Sequence, residues 1–139
     1  MTFPQMSTIT FDTEAELAYL YLVQSSTRGI VSVTEDLDEE SDLMLDFDKS
    51  GRIIGIEFFG STALQLKSLA NIKGILTKER KGDQSSYSFR LSDKKPERSI
   101  EKNGLIFYFS GKTNDFLGFD IVDIKLYGEK VLDSITTFP

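Results

Sequence analysis

Hydrophobic and polar residues alternate with period two through much of the first half of the chain. Leu43, Leu45 and Phe47 interleave with Met44 and Asp46, and Ile54, Ile56 and Phe58 interleave with Gly55 and Glu57. Alternation on both sides of the turn DKSG predicts a β-hairpin. Two shorter strands precede it: residues 9 to 11, and residues 17 to 23, where Tyr19 and Tyr21 alternate with Leu20 and Leu22. Arg28-Gly29 opens a further candidate over residues 30 to 33, and TEDLDEESD then reads as a polar connection.

The period changes in STALQLKSLANIKG, where Leu66, Leu69, Ala70 and Ile72 fall at three- and four-residue spacings. With Ser61 or Thr62 as cap and Gly74 as stop, this predicts a helix over about residues 62–73. Strand alternation resumes at residues 75 to 77.

The stretch that runs from YSFRLSDKK to FLGFDI aligns beneath the one that runs from AYLYLVQ to RIIGIEF. Leu91 then falls under Leu22, and Leu105, Phe107 and Phe109 under Leu43, Leu45 and Phe47. The doublet Leu117-Gly118 falls under Ile54-Gly55, and Asp120 under Glu57. SGKTND is one residue longer than DKSGR, the turn it replaces. This predicts a mainly β, α+β chain: two antiparallel β-meanders of three or four strands, packed as a pseudo-symmetric pair with one connecting helix. The expected organisation is one compact domain over residues 1–139, with unit one at about 8–60 and unit two at about 75–128.

Composition narrows the chemistry. The chain has eleven Phe and five Tyr but no Trp, His or Cys. That removes the imidazole base, the thiolate nucleophile and the ordinary zinc site, and no disulfide can form. No cofactor and no catalytic residue is predicted. The opening MTFPQMSTITFD carries neither a basic start nor an apolar run, and no segment has the roughly 20 apolar residues of a membrane span. A cytoplasmic protein without membrane contact is expected.

Charge is uneven. Residues 1–72 hold 12 acidic and 4 basic side chains, whereas residues 73–139 hold 10 and 12. Glu35, Asp36, Asp38, Glu39, Glu40, Asp42, Asp46 and Asp48 follow one another with no Lys or Arg between them. Such a run repels phosphate, which argues against nucleic acid as a partner. The six acids from Glu35 to Asp42 are instead the predicted contact surface for a basic protein. The basic stretch from Lys73 to Lys102 is mixed surface that faces this acidic half.

Two motifs invite sharper readings. DFDKSGRIIGIE matches the calcium-loop pattern, with ligands at Asp46, Asp48, Ser50 and Glu57, a glycine at Gly51 and Ile53 at the apolar position. An EF-hand loop sits between helices, however, and strand alternation on both sides favours a hairpin with Asp46 and Asp48 facing solvent. No metal site is therefore predicted. GKT at residues 111–113 lacks the earlier glycine and following helix of a phosphate loop, and reads as a hairpin tip.

ITFDTEAELAYLYL, SVTEDLD and LMLDFDKSGRIIGIEFFGSTALQL together resemble the bacterial domain of unknown function 2283, over about residues 8–66. That family has a D-x-E-A-x-x-x-Y-L-like strand and a D-x-D-x-x-G-R-I-x-G-I-E hairpin. The resemblance implies a small β-rich domain and no reaction. Its association with neighbours of toxin-like genes implies an immunity or antitoxin-type neutraliser of a basic toxin. The function expected is non-enzymatic protein binding; the alternatives are a small-ligand or calcium-binding module and a carboxylate-dependent enzyme.

Overall fold

The computed structural model describes residues 8–22, 31–70, 75–111, 114–134 and 136. Among these described residues, ten strands form two antiparallel five-stranded sheets. The first contains β1 (Thr8–Asp12), β2 (Leu17–Tyr21), β3 (Val33–Asp36), β4 (Leu43–Phe47) and β5 (Ile53–Phe59), in the order β1-β2-β5-β4-β3. The second contains β6 (Thr77–Lys81), β7 (Gln84–Arg90), β8 (Arg98–Lys102), β9 (Leu105–Phe109) and β10 (Phe116–Ile121), in the order β6-β7-β10-β9-β8. Each unit is a three-strand meander with a leading hairpin docked onto its last strand.

The registers repeat as well as the order. Gly55 lies opposite Asp46 on β4 and Tyr21 on β2, and Gly118 lies opposite Tyr108 on β9 and Arg90 on β7. Both meanders carry a bulge just before that glycine, and the bulged residues Ile54 and Leu117 accept from Leu22 N–H at 3.0 Å and Leu91 N–H at 2.8 Å. The Ile-Gly and Leu-Gly doublets therefore mark one structural device, a bulge that twists the central strand. The turns correspond too: Asp48 N–H donates to Arg52 C=O, and Ser110 N–H donates to Asp115 C=O across one residue more. Gly51, at φ 83°, supplies the conformation that the shorter turn needs.

Five strands per unit exceed the three or four that alternation predicts, because the missed ones are edge strands. The strand expected at residues 30 to 33 is instead β3, Val33–Asp36, all four residues of which are exposed; Ile30 lies outside the described residues. The front of TEDLDEESD is thus strand, paired to β4 from Val33↔Phe47 to Asp36↔Met44. A strand with solvent on both faces shows no apolar period. The same holds for β6, TKERK, which begins where the expected strand ends, while Leu76 makes an isolated parallel bridge to Thr136. Ahead of β9, Asn103 (φ 46°) and Gly104 (φ 85°) form the Asn-Gly hairpin turn that joins it to β8.

The linking helix is shorter than predicted. Helix α1 spans Gly60–Leu66 and continues as a 3₁₀ turn over Lys67–Leu69; residues 71–74 lie outside the described residues. Phe59 is the N-cap and no side chain caps the helix, so Ser61 and Thr62 stand inside the first turn. Two further helices, α2 (Ile124–Tyr127, capped by Asp123) and α3 (Glu129–Ser134), follow β10 as α1 follows β5. They bury Tyr127 and Leu132 as α1 buries Ala63 and Leu66.

The inner faces of both sheets share one hydrophobic cluster. Phe58 of β5 meets Phe116 of β10 with ring centroids 5.2 Å apart, and Phe116 reaches Phe89 and Phe109 of its own sheet. Burying each such ring contributes about 1.5–3 kcal/mol. Tyr127 ties the units by its hydroxyl, which donates to Asn103 C=O at 2.8 Å and accepts from Ile53 N–H at 3.0 Å. Among the described residues, no helix is long and apolar enough to cross a membrane.

Candidate functional site

The acidic segment divides in the structure. Glu35 pairs with Lys102 at 3.6 Å and Asp38 with Arg98 at 2.9 Å, so two of the six acids meet the neighbouring β8. Arg98 also stacks over Phe109 and hydrogen-bonds Asn114, whose amide donates to Glu40 C=O at 3.2 Å. This part of the mixed basic stretch does face the acidic half. The remaining side chains, Asp36, Glu39, Glu40 and Asp42, make no ion pair among the described residues. All four are exposed.

The calcium-pattern residues are drawn apart. Asp48 does not face solvent as the alternation suggested; its side chain is 3% exposed in the turn. There it accepts from Ser50 N–H, Arg52 N–H and, at 2.7 Å, Arg52 Nε. Burial opposes its ionisation, but the Arg52 and Ser50 hydrogen bonds outweigh this and hold its pKa below the usual carboxylate range. A carboxylate committed to a guanidinium inside its own turn is not a free ligand. Lys112 and Thr113 of the GKT tip lie outside the described residues, while Ser110 and Asp115 close the β9–β10 turn.

Asp46 and Glu57 face outward. Register and pleat place Thr34, Asp36, Met44, Asp46, Gly55, Glu57, Tyr19 and Tyr21 on the outer face of the first sheet. Asp46 accepts from Tyr19 OH at 2.5 Å and from Thr34 OH at 2.6 Å. The Tyr19 ring lies over Gly55, where a Cβ would stand 1.7 Å from the phenol oxygen, and packs on Tyr21 at 4.5 Å. Burial, the hydrogen bond to Asp46 and the neighbouring acids push the Tyr19 hydroxyl far above its ordinary pKa, so it remains a neutral donor. Glu57 is partly buried and diagonal to Asp46; burial first, then the Asp46 charge, raises its pKa. Among the described residues its carboxylate makes no hydrogen bond or ion pair.

The corresponding position on the second sheet is Asp120. It accepts from Ser88 OH, Arg90 Nη2 and Tyr108 OH, each at 2.7 Å, and the Arg90 guanidinium lies 5.1 Å from the Tyr108 ring centroid. Burial disfavours its charge, yet the hydrogen bonds from Tyr108, Ser88 and Arg90 prevail and lower its pKa. Tyr108 is pushed up to about 12 by burial and by that hydrogen bond.

Tyr19, Asp46, Gly55 and Glu57 all lie in the stretch that matches the family described as "Protein of unknown function (DUF2283)", at residues 8–61. The chain belongs to this family. It is similar to the "Uncharacterized protein YuzE" of Bacillus subtilis (strain 168), with 32% identity over 133 residues, 94% of this chain and 98% of that one. The family match ends with the first unit, whereas the likeness to YuzE spans both. No solved structure matches at a significant level.

Tyr19 is the tyrosine of the D-x-E-A-x-x-x-Y-L strand, but as site residues Tyr21 and Thr34 are not distinguished by composition or motif. Tyr19 and Thr34 reach Asp46 from β2 and β3, on either side of the central β4–β5 pair, with Tyr21 packed on Tyr19, and only the register brings them together.

Proposed function

We propose that this DUF2283 protein is a non-enzymatic, cytoplasmic binding protein that acts by contact with a basic protein, as an immunity or antitoxin-type neutraliser would. One observation carries the reading: the strand residues on the outer face of the first sheet include Asp12, Asp36, Asp46 and Glu57 and no Lys or Arg. That face runs on through Asp36 into the exposed Glu39, Glu40 and Asp42. Uncompensated charge of one sign speeds encounter with the opposite sign and rejects like surfaces. Since Glu35 and Asp38 already pair with Lys102 and Arg98, the partner-facing acids are Asp36, Glu39, Glu40 and Asp42.

The test is affinity purification of the full chain from its host at native expression, beside a variant with those four acids changed to Lys. The reading expects a stoichiometric basic protein with the native chain that the folded variant fails to retain. Equal recovery with both, or none with either, overturns it.

One observation favours a carboxylate-dependent enzyme as a second reading, namely the raised pKa of Glu57 beside Asp46. Two carboxylates on one face, one of them with its pKa raised by burial, are groups between which acid and base roles can be divided. Against it, Asp46 is occupied by Tyr19 and Thr34, which fits recognition better than proton transfer.

A further inference from the structure

The turn that joins β8 to β9 meets the β4–β5 turn of the other unit. Lys102 pairs with Leu105, so Asn103-Gly104 is a two-residue loop, and φ values of 46° and 85° make it the type I′ turn that this dipeptide favours. Asn103 is exposed to water, yet its amide is engaged. Nδ2 donates to Gly51 C=O at 2.7 Å, and the backbone C=O of Asn103 accepts from Tyr127 OH at 2.8 Å. The same hydroxyl accepts from Ile53 N–H, while Gly104 C=O accepts from Val122 N–H and Asp123 N–H at 2.8 and 3.2 Å. Two hairpin turns and the segment around α2 thus close one clasp on Asn103.

Of the chain's three asparagines, Asn71, Asn103 and Asn114, Asn103 alone precedes a glycine. A glycine nitrogen has no neighbouring side chain to hinder its approach to the preceding carboxamide, which makes such asparagines the most labile. We infer that Asn103 is a self-modification site, deamidated at a rate that the clasp sets and with a product that opens it. The Gly104 nitrogen attacks Asn103 Cγ; the N–Cγ bond forms as the N–H proton passes to water, and Nδ2 leaves with a proton as ammonia. Water then opens the succinimide at either carbonyl, giving aspartate or isoaspartate. One water is consumed and one ammonia released, with no oxidant or cofactor.

The folded turn opposes the first step twice over. Nδ2 must release Gly51, and the type I′ backbone turns the Gly104 nitrogen away from the Asn103 side chain. Opening of the clasp is therefore the gate, and it leaves intact the core that joins the sheets through Phe58 and Phe116. After conversion no donor faces Gly51 C=O. A carboxylate stands there instead, beside a tyrosine on which the charges of Asp48 and Asp123 already act. Isoaspartate also lengthens the main chain by one carbon between Lys102 and Leu105, so the tight turn cannot re-form. The clasp shares no residue with the acids of the proposed contact surface, and the two proposals stand or fall separately.

The test incubates the full-length chain at mildly alkaline pH and follows ammonia release together with the converted site by peptide mass spectrometry. Conversion at Asn103 is expected, at least about tenfold slower in the folded chain than in urea. The slowing should match the protection of the Ile53 amide against hydrogen exchange to within about threefold, because both report one opening. Tyr127→Phe, which removes both bonds of the hydroxyl, should speed conversion about five- to tenfold. Leu66→Ala, a core change at the far end of β5, should leave it within about twofold. In the converted chain the Ile53 amide should lose its protection while that of Ile56 keeps it.

Equal rates in the folded chain and in urea, or equal acceleration by Leu66→Ala and Tyr127→Phe, would overturn the gate. Should Tyr127→Phe fail to fold, the native chain decides by itself. Ile53 protected as strongly as Ile56, no conversion on the timescale that Ile53 exchange sets, or a converted chain with Ile53 still protected would each overturn it.

Discussion

Unit one and unit two share a strand order, a bulge and a helical cover, yet their outer faces have opposite electrostatic logic. Around Asp120 every charge is answered within the sheet, by Arg90, Ser88 and Tyr108. Around Glu57 no side chain among the described residues answers, and Asp46 adds a second negative charge nearby. The inner faces show the same contrast in a milder form, since the second unit packs Phe89, Phe107, Phe109, Phe116 and Phe119 where the first relies more on aliphatic residues. Among the described residues the second unit thus satisfies its outer carboxylate internally, whereas the first leaves Glu57 without a counter-charge. A carboxylate without a counter-charge costs stability, so this difference between the faces can be measured.

The sharpest way to break that contrast is to remove what joins the two units. Phe116→Ala deletes the ring that meets Phe58 across the sheets and Phe89 and Phe109 within its own. The expected cost is about 3–5 kcal/mol. Because one cluster serves both sheets, chemical denaturation should remain a single transition, with NMR signals of Tyr19 and Tyr108 lost together. Separate midpoints would show two units that fold independently.

Next in size is a glycine pair. Gly118 has φ 147°, and a Cβ there would lie 2.1 Å from the backbone oxygen of Phe89, so Gly118→Ala forces the main chain to move. Its expected cost is about 3 kcal/mol or more. At Gly55 the obstacle is the Tyr19 phenol, a side chain that can swing away. Gly55→Ala should cost about 1–2 kcal/mol, most of it the lost Tyr19–Asp46 hydrogen bond. Thermal unfolding of both variants checks the order; equal losses would mean that the bulge glycines serve one purpose in both units.

These glycines also show what a sequence makes legible. The Ile-Gly and Leu-Gly doublets, the one-residue difference in turn length and the match of Asp120 to Glu57 all survive in the registers, because apolar alternation fixes which face is buried and a turn fixes the offset. Strands β3, β6 and β8 were illegible for the converse reason: edge strands carry their pattern in backbone pairing, and polar side chains such as Thr34 and Lys78 record none of it. Asn103-Gly104 was the one local signal for β8. Helices α2 and α3 are too short for a helical period to stand out. The site was half legible. Asp46 and Glu57 attract notice as parts of a calcium-loop pattern, but their link to Tyr19, Tyr21 and Thr34 follows only once β2 is known to pair with β5 and β3 with β4.

Asp120→Asn tests the self-satisfied side. It leaves a neutral acceptor before Arg90 and two hydroxyls, at an expected cost of about 1–3 kcal/mol at pH 7. The folded pKa lies below the unfolded value of 3.8, so the native advantage is complete above pH 3.8 and disappears as pH falls through the folded value. The difference between native and variant melting temperatures should therefore be constant from pH 7 to about 4.5 and close below it. A gap that widens in acid would mean that Asp120 is not the stabilising partner of Arg90.

Glu57→Gln is the smallest change and the most diagnostic, because its sign is opposite. The folded pKa of Glu57 is raised above 4.5 by burial and by Asp46, so the folded state holds this proton more tightly than the unfolded chain does. Below pH 4.5 both states are protonated and the substitution gains nothing. Above the folded pKa the native chain carries a penalty that glutamine lacks, so the variant should melt slightly higher at pH 7, with the gain fading as the solution is acidified. A variant less stable than native at pH 7 would show that Glu57 is already satisfied within the fold, and the asymmetry between the two faces would lose its basis.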